Sequence, residues 1–175
     1  HDAVSHLAVL LDLGLSVAAG QPPAQGEDAH MRSDLQAMRD QAALRTLVEN
    51  YARAVDRRDA ALFASLFADD AVLESHVSTW HGKEQLAAIP VRMRTLYQTT
   101  LHTVMNQEVK VAGDEAEGET CSIAYHLYPP KDGKQERLDM TIRYQDRYVR
   151  RDGSWLFARR KLVIQWTRRM DHPIE

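Results

Sequence analysis

The sequence predicts an α+β fold in which N-terminal helices pack on a curved, mostly antiparallel sheet. Apolar residues recur at helical spacing through most of the chain before residue 97, and strand-like alternation follows residue 99. Turns such as "AGDE" and "RRDG" join the later segments and favour an antiparallel meander. Helices followed by strands are typical of a sheet covered on one face. Such a sheet, curled over its helices, forms a cone-shaped α+β barrel with a pocket inside.

Composition limits the classes of partner. The chain has 175 residues and a formal net charge of -3, which suits one globular domain with a substantial core. The near-neutral balance and the lack of a dense basic run argue against nucleic acid as the main partner. A single cysteine, Cys121, excludes both an intrachain disulfide and a thiolate metal cage.

The N-terminal segment stands apart from the rest of the chain. "LAVLLDLGLSVAAG" is too short to span a bilayer, which needs about 20 apolar residues. Its alternatives are the core of a secretory signal, an added helix, or residues foreign to the natural protein, with Met31 as a candidate start. We therefore separate residues 1–31, an N-terminal extension or foreign segment, from a domain of residues 32–175. We expect no membrane association, and a cytoplasmic location unless this segment is a signal.

The helical half begins at Ser33, a suitable N-cap for "DLQAMRDQAALRTLVENYARAVDRR". Asp59 can cap a second, short helix, "AALFASLF", which the strand "AVLESHV" and the turn "STWHG" follow. "KEQLAAIPVRMRTLYQ" predicts a third helix, bent or restarted at Pro90. The first helix carries one apolar stripe, formed by Leu44, Leu47, Val48, Tyr51 and Val55.

Arg160 is an unusual residue for the last predicted strand, "SWLFARRKLVIQW". Simple alternation places it on the face of Leu156 and opposite the face of Phe157, which we expect to pack on the helices. A charge in an apolar row is costly unless it is paired. Arg160 is therefore either a functional cation or one partner of an ion pair under the sheet, with Asp146 or Glu74 opposite.

Two stretches carry a family resemblance. "LVENYARAVDRRDAALFASLFADDAVLES" and "YQDRYVRRDGSWLFARR" resemble the SnoaL-like, nuclear transport factor 2-like domains, over roughly residues 34–168. The resemblance implies the fold strongly and the reaction weakly, because this fold hosts many activities. The nearest pattern is that of the scytalone dehydratase, bile acid dehydratase and lindane dehydrochlorinase branch.

The resemblance implies four catalytic residues. An aspartate near the end of the first helix pairs in those enzymes with a histidine at the start of a strand; these positions hold Asp56 and His102. The arginine of the last strand falls at Arg160, and a tyrosine five residues before the aspartate falls at Tyr51. A neutral imidazole suits proton abstraction near pH 7, and a buried carboxylate fixes its tautomer and stabilises the imidazolium.

Each of these residues also has a purely structural interpretation. His102 can be a satisfied core histidine, Asp56 a solvated helix cap, and Tyr51 a buried aromatic with a satisfied hydroxyl. Arg57 and Arg58, which follow Asp56, are expected to be solvated.

The base of the steroid isomerases, on the first strand, would fall at Ser75. This departure argues against their mechanism, unless Glu74 substitutes from the opposite strand face.

The sequence thus predicts a cofactor-independent lyase or isomerase, most simply a dehydratase, for a hydrophobic, cyclic or polyketide-type small molecule. We expect Tyr125, Trp166 and Met140 to bind the substrate. No metal is expected, because no histidine shows ligand spacing, and no glycine-rich phosphate loop or serine elbow indicates a cofactor or covalent mechanism. The alternatives are a polyketide-type cyclase, a noncatalytic small-molecule-binding protein and an oxygenase-β-like partner subunit. The resemblance also implies a homo-oligomer, either dimer or trimer.

Overall fold

Three helices and six strands make up residues 25–173, the part of the chain that this computed structural model describes. The compact unit that begins at Leu35 holds all six strands. The elements are α1 Gln25–Arg57, α2 Ala60–Ser65, β1 Phe67–Glu74, β2 Thr79–His81, α3 Gly82–Leu96, β3 Thr99–Ala112, β4 Glu115–Leu127, β5 Gln135–Arg151 and β6 Ser154–His172.

The apolar N-terminal segment, residues 7–20, lies outside the described residues, and the boundary at residue 31 stays a prediction. Between residues 25 and 173, no helix has the length and apolar character that a bilayer crossing requires.

The helices follow the predicted pattern with two differences. α1 begins at Gln25, so the prediction of Ser33 as its N-cap was wrong; the helix-compatible run before Ser33 continues the helix upstream. The Asp59 cap is confirmed, because its carboxylate accepts a hydrogen bond of 2.9 Å from the backbone N–H of Leu62. α3 continues through Pro90 without a restart. The predicted stripe of α1 is buried, with Leu44, Leu47, Val48, Tyr51 and Val55 all at most 6% exposed.

The sheet is curved, open and mixed, with strand order β2-β1-β6-β5-β4-β3. The strands β3 to β6 form the predicted antiparallel meander, and β1 joins β6 in parallel. The segment predicted as a turn after β1 instead contains β2, since Trp80 pairs with Leu73. Only β2 and β3 lie at the edges of this sheet, and β3 carries His102.

A bulge in β6 changes which residues face the helices. Phe157 pairs with Tyr148 and Arg159 pairs with Arg147, so Ala158 is an extra residue on β6. Because an extra residue reverses the alternation, Arg160 returns to the face of Phe157 and lies in the core. The predicted face of Arg160 was therefore wrong.

Two glycines are required by the backbone. Asp152 and Gly153 form the two-residue turn between β5 and β6. Their φ angles are 49° and 76°, and a tight turn of this kind requires positive φ at both positions. Gly118 lies where β4 closely approaches β3. A Cβ there would lie 2.5 Å from the carbonyl oxygen of Glu108 and 2.7 Å from Cγ1 of Val109.

The core lies between the helices and the inner face of the sheet. Its centre is an aromatic cluster in which the ring of Tyr51 lies 5.2 Å from Phe63 and 5.9 Å from Phe157. Phe67 lies 5.1 Å from both phenylalanines. Each fully buried side chain of this size contributes about 1.5–3 kcal/mol. The cluster fixes α1 against the sheet and thereby places the end of α1 beside β3.

Candidate active site

The predicted pair of Asp56 and His102 forms in the structure. Asp56 lies in the last turn of α1 and His102 near the start of β3. Oδ1 of Asp56 lies 2.7 Å from Nδ1 of His102, and Oδ2 accepts a 2.8 Å hydrogen bond from the backbone N–H of His102. The Thr100 hydroxyl donates a third bond, of 2.9 Å, to Oδ1. The two side chains are 18% and 7% exposed, so the contact is largely shielded from water.

These contacts determine the protonation of the pair. Burial alone would raise the pKa of Asp56, but the hydrogen bonds and charge interaction with His102, aided by Thr100, hold that pKa below its usual value. An ionised carboxylate accepts hydrogen bonds only. Nδ1 of His102 must therefore be the donor, which leaves Nε2 as the basic nitrogen of the neutral ring.

His102 borders a small internal cavity that α1 and four strands enclose. The cavity leaves about 10 Å³ of room for the centre of a water-sized molecule, enough for about one water. Tyr51 and Arg160 border the same cavity, while Asp56 supports His102 from outside it. The full lining comprises Val48, Tyr51, Ala52, His102, Val104, Thr120, Ser122, Tyr144 and Arg160.

Arg160 has a structural partner as well as a place at the cavity. Its Nε and Nη2 donate hydrogen bonds of 2.9 and 3.0 Å to the two carboxylate oxygens of Asp146. Tyr148 donates a further bond of 2.9 Å to Asp146. Burial would lower the pKa of Arg160, but the charge and hydrogen bonds of Asp146 raise it above its ordinary value. The sequence left open an ion pair with Asp146 or Glu74, and the structure selects Asp146.

The ring of Tyr51 lies directly beneath the guanidinium of Arg160, 4.1 Å from ring centre to the central carbon. Burial raises the pKa of Tyr51 to about 12, although the charge of Arg160 opposes the rise. The phenol therefore stays neutral near pH 7.

A second histidine lies beside the pair. The ring of His126 on β4 lies 5.6 Å from that of His102 and 4.6 Å from that of Tyr97. Burial, followed by the proximity of His102, lowers the pKa of His126 to about 4. His126 is thus neutral near pH 7, and its Nδ1 finds no hydrogen-bond partner among residues 25–173. The sequence offered one signal for the inward position of His126. Strand alternation allows only one of Tyr125 and His126 to face inward.

Arg58 belongs to the surroundings of Asp56, contrary to the expectation that it is solvated. Its Nη1 donates to the Thr100 hydroxyl and to the carbonyl oxygen of Val55, both at 2.7 Å. Its backbone is left-handed, with φ of 59°, where α1 ends. Arg58, Thr100 and Asp56 therefore form one chain of hydrogen bonds that leads to His102. Arg57 is exposed, as expected.

The structure separates the three predicted substrate-binding residues. Met140 packs against the core on the inner face, in the pairing row of His102 and Ala124. Tyr125 lies on the outer face, under the guanidinium of Arg137, 5.2 Å away. Trp166 also lies outward and is 65% exposed, because a second bulge, at Gln165, reverses the alternation. Tyr125 and Trp166 are therefore not brought to His102.

Glu74 and Ser75 are not brought to the cavity either. Glu74 pairs with Arg159 at 2.7 Å on the outer face, and the Ser75 hydroxyl accepts the backbone N–H of Ser78 in the following turn. Among the described residues, no group of three or more His, Cys, Asp or Glu side chains is arranged to hold a metal ion.

The chain resembles known proteins of one domain family. The family model of the SnoaL-like domain matches residues 36–161, more than half of the chain. A solved hexachlorocyclohexane dehydrochlorinase, LinA type 2, is similar with a TM-score of 0.72 and 23% identity, over 78% of this chain and 93% of that one. A search of curated proteins found no match.

Two further solved structures are similar. A predicted scytalone dehydratase from Novosphingobium aromaticivorans has a TM-score of 0.68 and 22% identity, over 83% of this chain and 93% of that one. A protein with a cystatin-like fold from Nostoc punctiforme has a TM-score of 0.62 and 19% identity, over 72% and 91%. At these identities the likeness establishes the fold alone, and it confirms the predicted α+β architecture.

Proposed function

Because the chain belongs to the SnoaL-like domain family, we propose that it is a cofactor-independent lyase of the dehydratase type. Its substrate is a hydrophobic small molecule with a carbonyl group and a hydroxyl group on the second carbon away. One observation carries the proposal: the 2.7 Å contact between Asp56 and His102 at the edge of an internal cavity. The dehydratase and dehydrochlorinase among the similar structures support the same class of reaction.

The first step is removal of a proton from the carbon beside the carbonyl. Nε2 of His102 takes the proton, and the electron pair of the broken C–H bond moves onto the carbonyl oxygen as an enolate. Asp56 stabilises the imidazolium that forms. A positioned base of this kind contributes about 10²- to 10⁴-fold in rate.

The second step is loss of the hydroxyl group. The imidazolium returns its proton to the hydroxyl oxygen, the C–O bond breaks, and the enolate electrons form a carbon–carbon double bond and restore the carbonyl. The products are water and an unsaturated carbonyl compound, without any oxidation or reduction. Tyr51 and Arg160 supply hydrogen-bond donors to the carbonyl oxygen, which carries the negative charge of the enolate.

Related outcomes share the first step. Return of the proton to another carbon would make the protein an isomerase, and attack of the enolate on a second carbonyl would make it a polyketide-type cyclase. The cavity in its present form holds about one water, so a substrate requires it to widen while the contact between Asp56 and His102 is kept. The expected dimer or trimer stays a prediction.

Proton exchange tests the proposal even before the substrate is identified. A panel of hydrophobic ketones and β-hydroxy ketones is incubated with the protein in D₂O, and loss of the α-proton signal is followed by NMR. We expect exchange by the wild type and its loss in His102→Gln and Asp56→Asn. His81→Gln, which alters an exposed histidine at the start of α3, should behave as the wild type. Exchange that persists in His102→Gln would exclude His102 as the base.

A noncatalytic binding protein or partner subunit is the second candidate, and the small cavity favours it. A binding protein would bind ligands of the panel, and a partner subunit would bind none. In both cases no ketone would exchange its α-proton faster than in buffer. His102→Gln would then change affinity alone.

A further inference from the structure

The wall of the cavity opposite α1 carries polar groups without protein partners. Oγ1 of Thr120, Oγ of Ser122 and Nη1 of Arg160 have no hydrogen-bond partner among residues 25–173. All three residues are 1% exposed, and all three border the cavity that His102 borders. A buried polar group without a partner is costly, and native proteins contain few of them. Three around one cavity indicate a site for a polar atom of a ligand.

The fold places these groups around one cavity. Thr120 and Ser122 are two residues apart on β4 and share its inner face. His102 pairs with Ala124, the next inward residue of β4, and therefore lies diagonally across from Ser122. Arg160 enters from β6, and Asp146 holds its guanidinium so that Nη1 remains available. The hydroxyls and the base thus share one cavity wall.

The chemistry of the set selects the ligand atom. Arginine donates hydrogen bonds only, and each hydroxyl can donate one. The charge of Arg160 is balanced by Asp146, so the site suits an oxygen of a neutral compound whose charge grows during reaction. Three fixed donors around such an oxygen form an oxyanion-binding site.

We infer that Thr120, Ser122 and Nη1 of Arg160 form a subsite that binds the carbonyl oxygen of the substrate and holds it as the enolate forms. This inference deepens the proposed function and rests on it. It gives the carbonyl oxygen of the proposed substrate a binding site of its own, and it assigns Thr120 and Ser122 as contacts for the substrate.

A pair of aromatic ligands tests the subsite. The phenolate oxygen of 4-nitrophenol imitates an enolate oxygen, and nitrobenzene has the same ring without it. Dissociation constants of both are measured by calorimetry for the wild type, for T120V/S122A and for T141V. Thr141 lies on the outer face of β5, opposite Ile123 and Trp166, and is the matched control.

We expect the wild type and T141V to bind 4-nitrophenol at least about 10-fold more tightly than nitrobenzene, and T120V/S122A to lose about 10-fold of that preference. Thr120→Ser, which keeps a hydroxyl, should retain it. The urea midpoint of T120V/S122A should rise, because two polar groups without protein partners are removed. An unchanged preference in T120V/S122A, or no binding of 4-nitrophenol by the wild type, overturns the inference.

Failure of the subsite and failure of the proposed reaction give different results. His102→Gln removes the base and leaves the three donors in place. If His102→Gln keeps both the ligand preference and wild-type proton exchange, the subsite stands and the proposed base is wrong. If T120V/S122A should fail to fold, the single variants T120V and S122A carry the same test.

Discussion

Asp146 and Asp56 each pair with a basic side chain, Arg160 and His102, and the two pairs differ in burial and geometry. Asp146 and Arg160 are 0% and 1% exposed, and the pair is bidentate. Asp56 and His102 are 18% and 7% exposed and meet through one ring nitrogen. The first pair joins a carboxylate to a guanidinium, which does not release its proton in a protein. The second joins a carboxylate to an imidazole, which can act as a base.

The difference indicates that one pair contributes mainly to stability and the other mainly to catalysis. Arg160 cannot release a proton in a protein, so Asp146 serves to neutralise and orient it. His102 can take a proton, and Asp56 is placed to stabilise the result. Loss of Asp146 should therefore affect folding first, and loss of Asp56 should affect turnover first.

Asp56→Asn should produce the largest effect, on activity. An asparagine amide can donate to Nδ1 and favour the tautomer that carries its proton on Nε2, where the base must be free. We expect proton exchange to fall about 10³-fold, or about 4 kcal/mol in the barrier, with a change in unfolding free energy near 1 kcal/mol. Exchange by NMR and urea unfolding measure the two quantities. A variant that loses stability but keeps its exchange rate would remove Asp56 from the mechanism.

Asp146→Ala should produce the largest effect on stability. It leaves the charge of Arg160 buried without a counterion, which costs about 3–5 kcal/mol, measured by urea unfolding. The control is Glu136→Ala, which breaks an exposed pair with Arg169 and should cost less than about 1 kcal/mol. Replacement of both partners, Asp146→Leu with Arg160→Met, should cost less than Asp146→Ala alone. A larger cost for the double variant would contradict this account.

His126 should make stability depend on pH. Its pKa is lowered to about 4 by burial and by His102, whereas an unfolded chain has an imidazole pKa near 6.5. Between these values the unfolded state binds a proton that the folded state excludes, so stability falls as pH drops from about 6.5 to 4. The full loss is about 3 kcal/mol.

His126→Phe should flatten the curve of unfolding free energy across that window, and His81→Gln should leave it unchanged. The lowered pKa of Asp56 acts at lower pH: its contribution is present above the ordinary carboxyl pKa and is lost as pH falls through the folded value. A wild-type slope retained by His126→Phe would show that another group is responsible.

The sequence predicted the helices and the meander because their patterns are periodic and local. The stripe of α1 and the "RRDG" hairpin depend on no distant contacts. The meeting of Asp56 and His102 was available only through the family resemblance, since 46 residues separate them along the chain. No local pattern brings a helix end to a particular strand.

The sheet faces of Arg160 and Trp166 were predicted wrongly because β6 contains two bulges. An extra residue at Ala158 turned Arg160 inward, and another at Gln165 turned Trp166 outward. Neither position carries a glycine or another residue type that marks a bulge, so simple alternation failed twice on one strand. Thr120 and Ser122 are alternate polar residues of one strand in the sequence. Only the structure shows that both border the cavity and lack hydrogen-bond partners among the described residues.

Substitution of Thr100 should have the smallest effect, and it should act on the pair of Asp56 and His102 alone. Its hydroxyl donates to Asp56 and accepts from Arg58, whereas Asp146 has no such link to the end of α1 among its hydrogen bonds in the described residues. Thr100→Val removes one of three hydrogen bonds to the Asp56 carboxylate. We expect a loss of about 1 kcal/mol in unfolding free energy and a several-fold slower proton exchange.

Thr100→Ser keeps the hydroxyl and should restore the exchange rate even where the lost methyl group lowers stability. That separation is decisive, because a merely structural Thr100 would respond to the methyl group and a positioning Thr100 responds to the hydroxyl. Equal exchange rates in the valine and serine variants would mean that His102 alone holds Asp56 in place. The carboxylate would then need no support from Arg58, and the left-handed backbone of Arg58 would serve only to end α1.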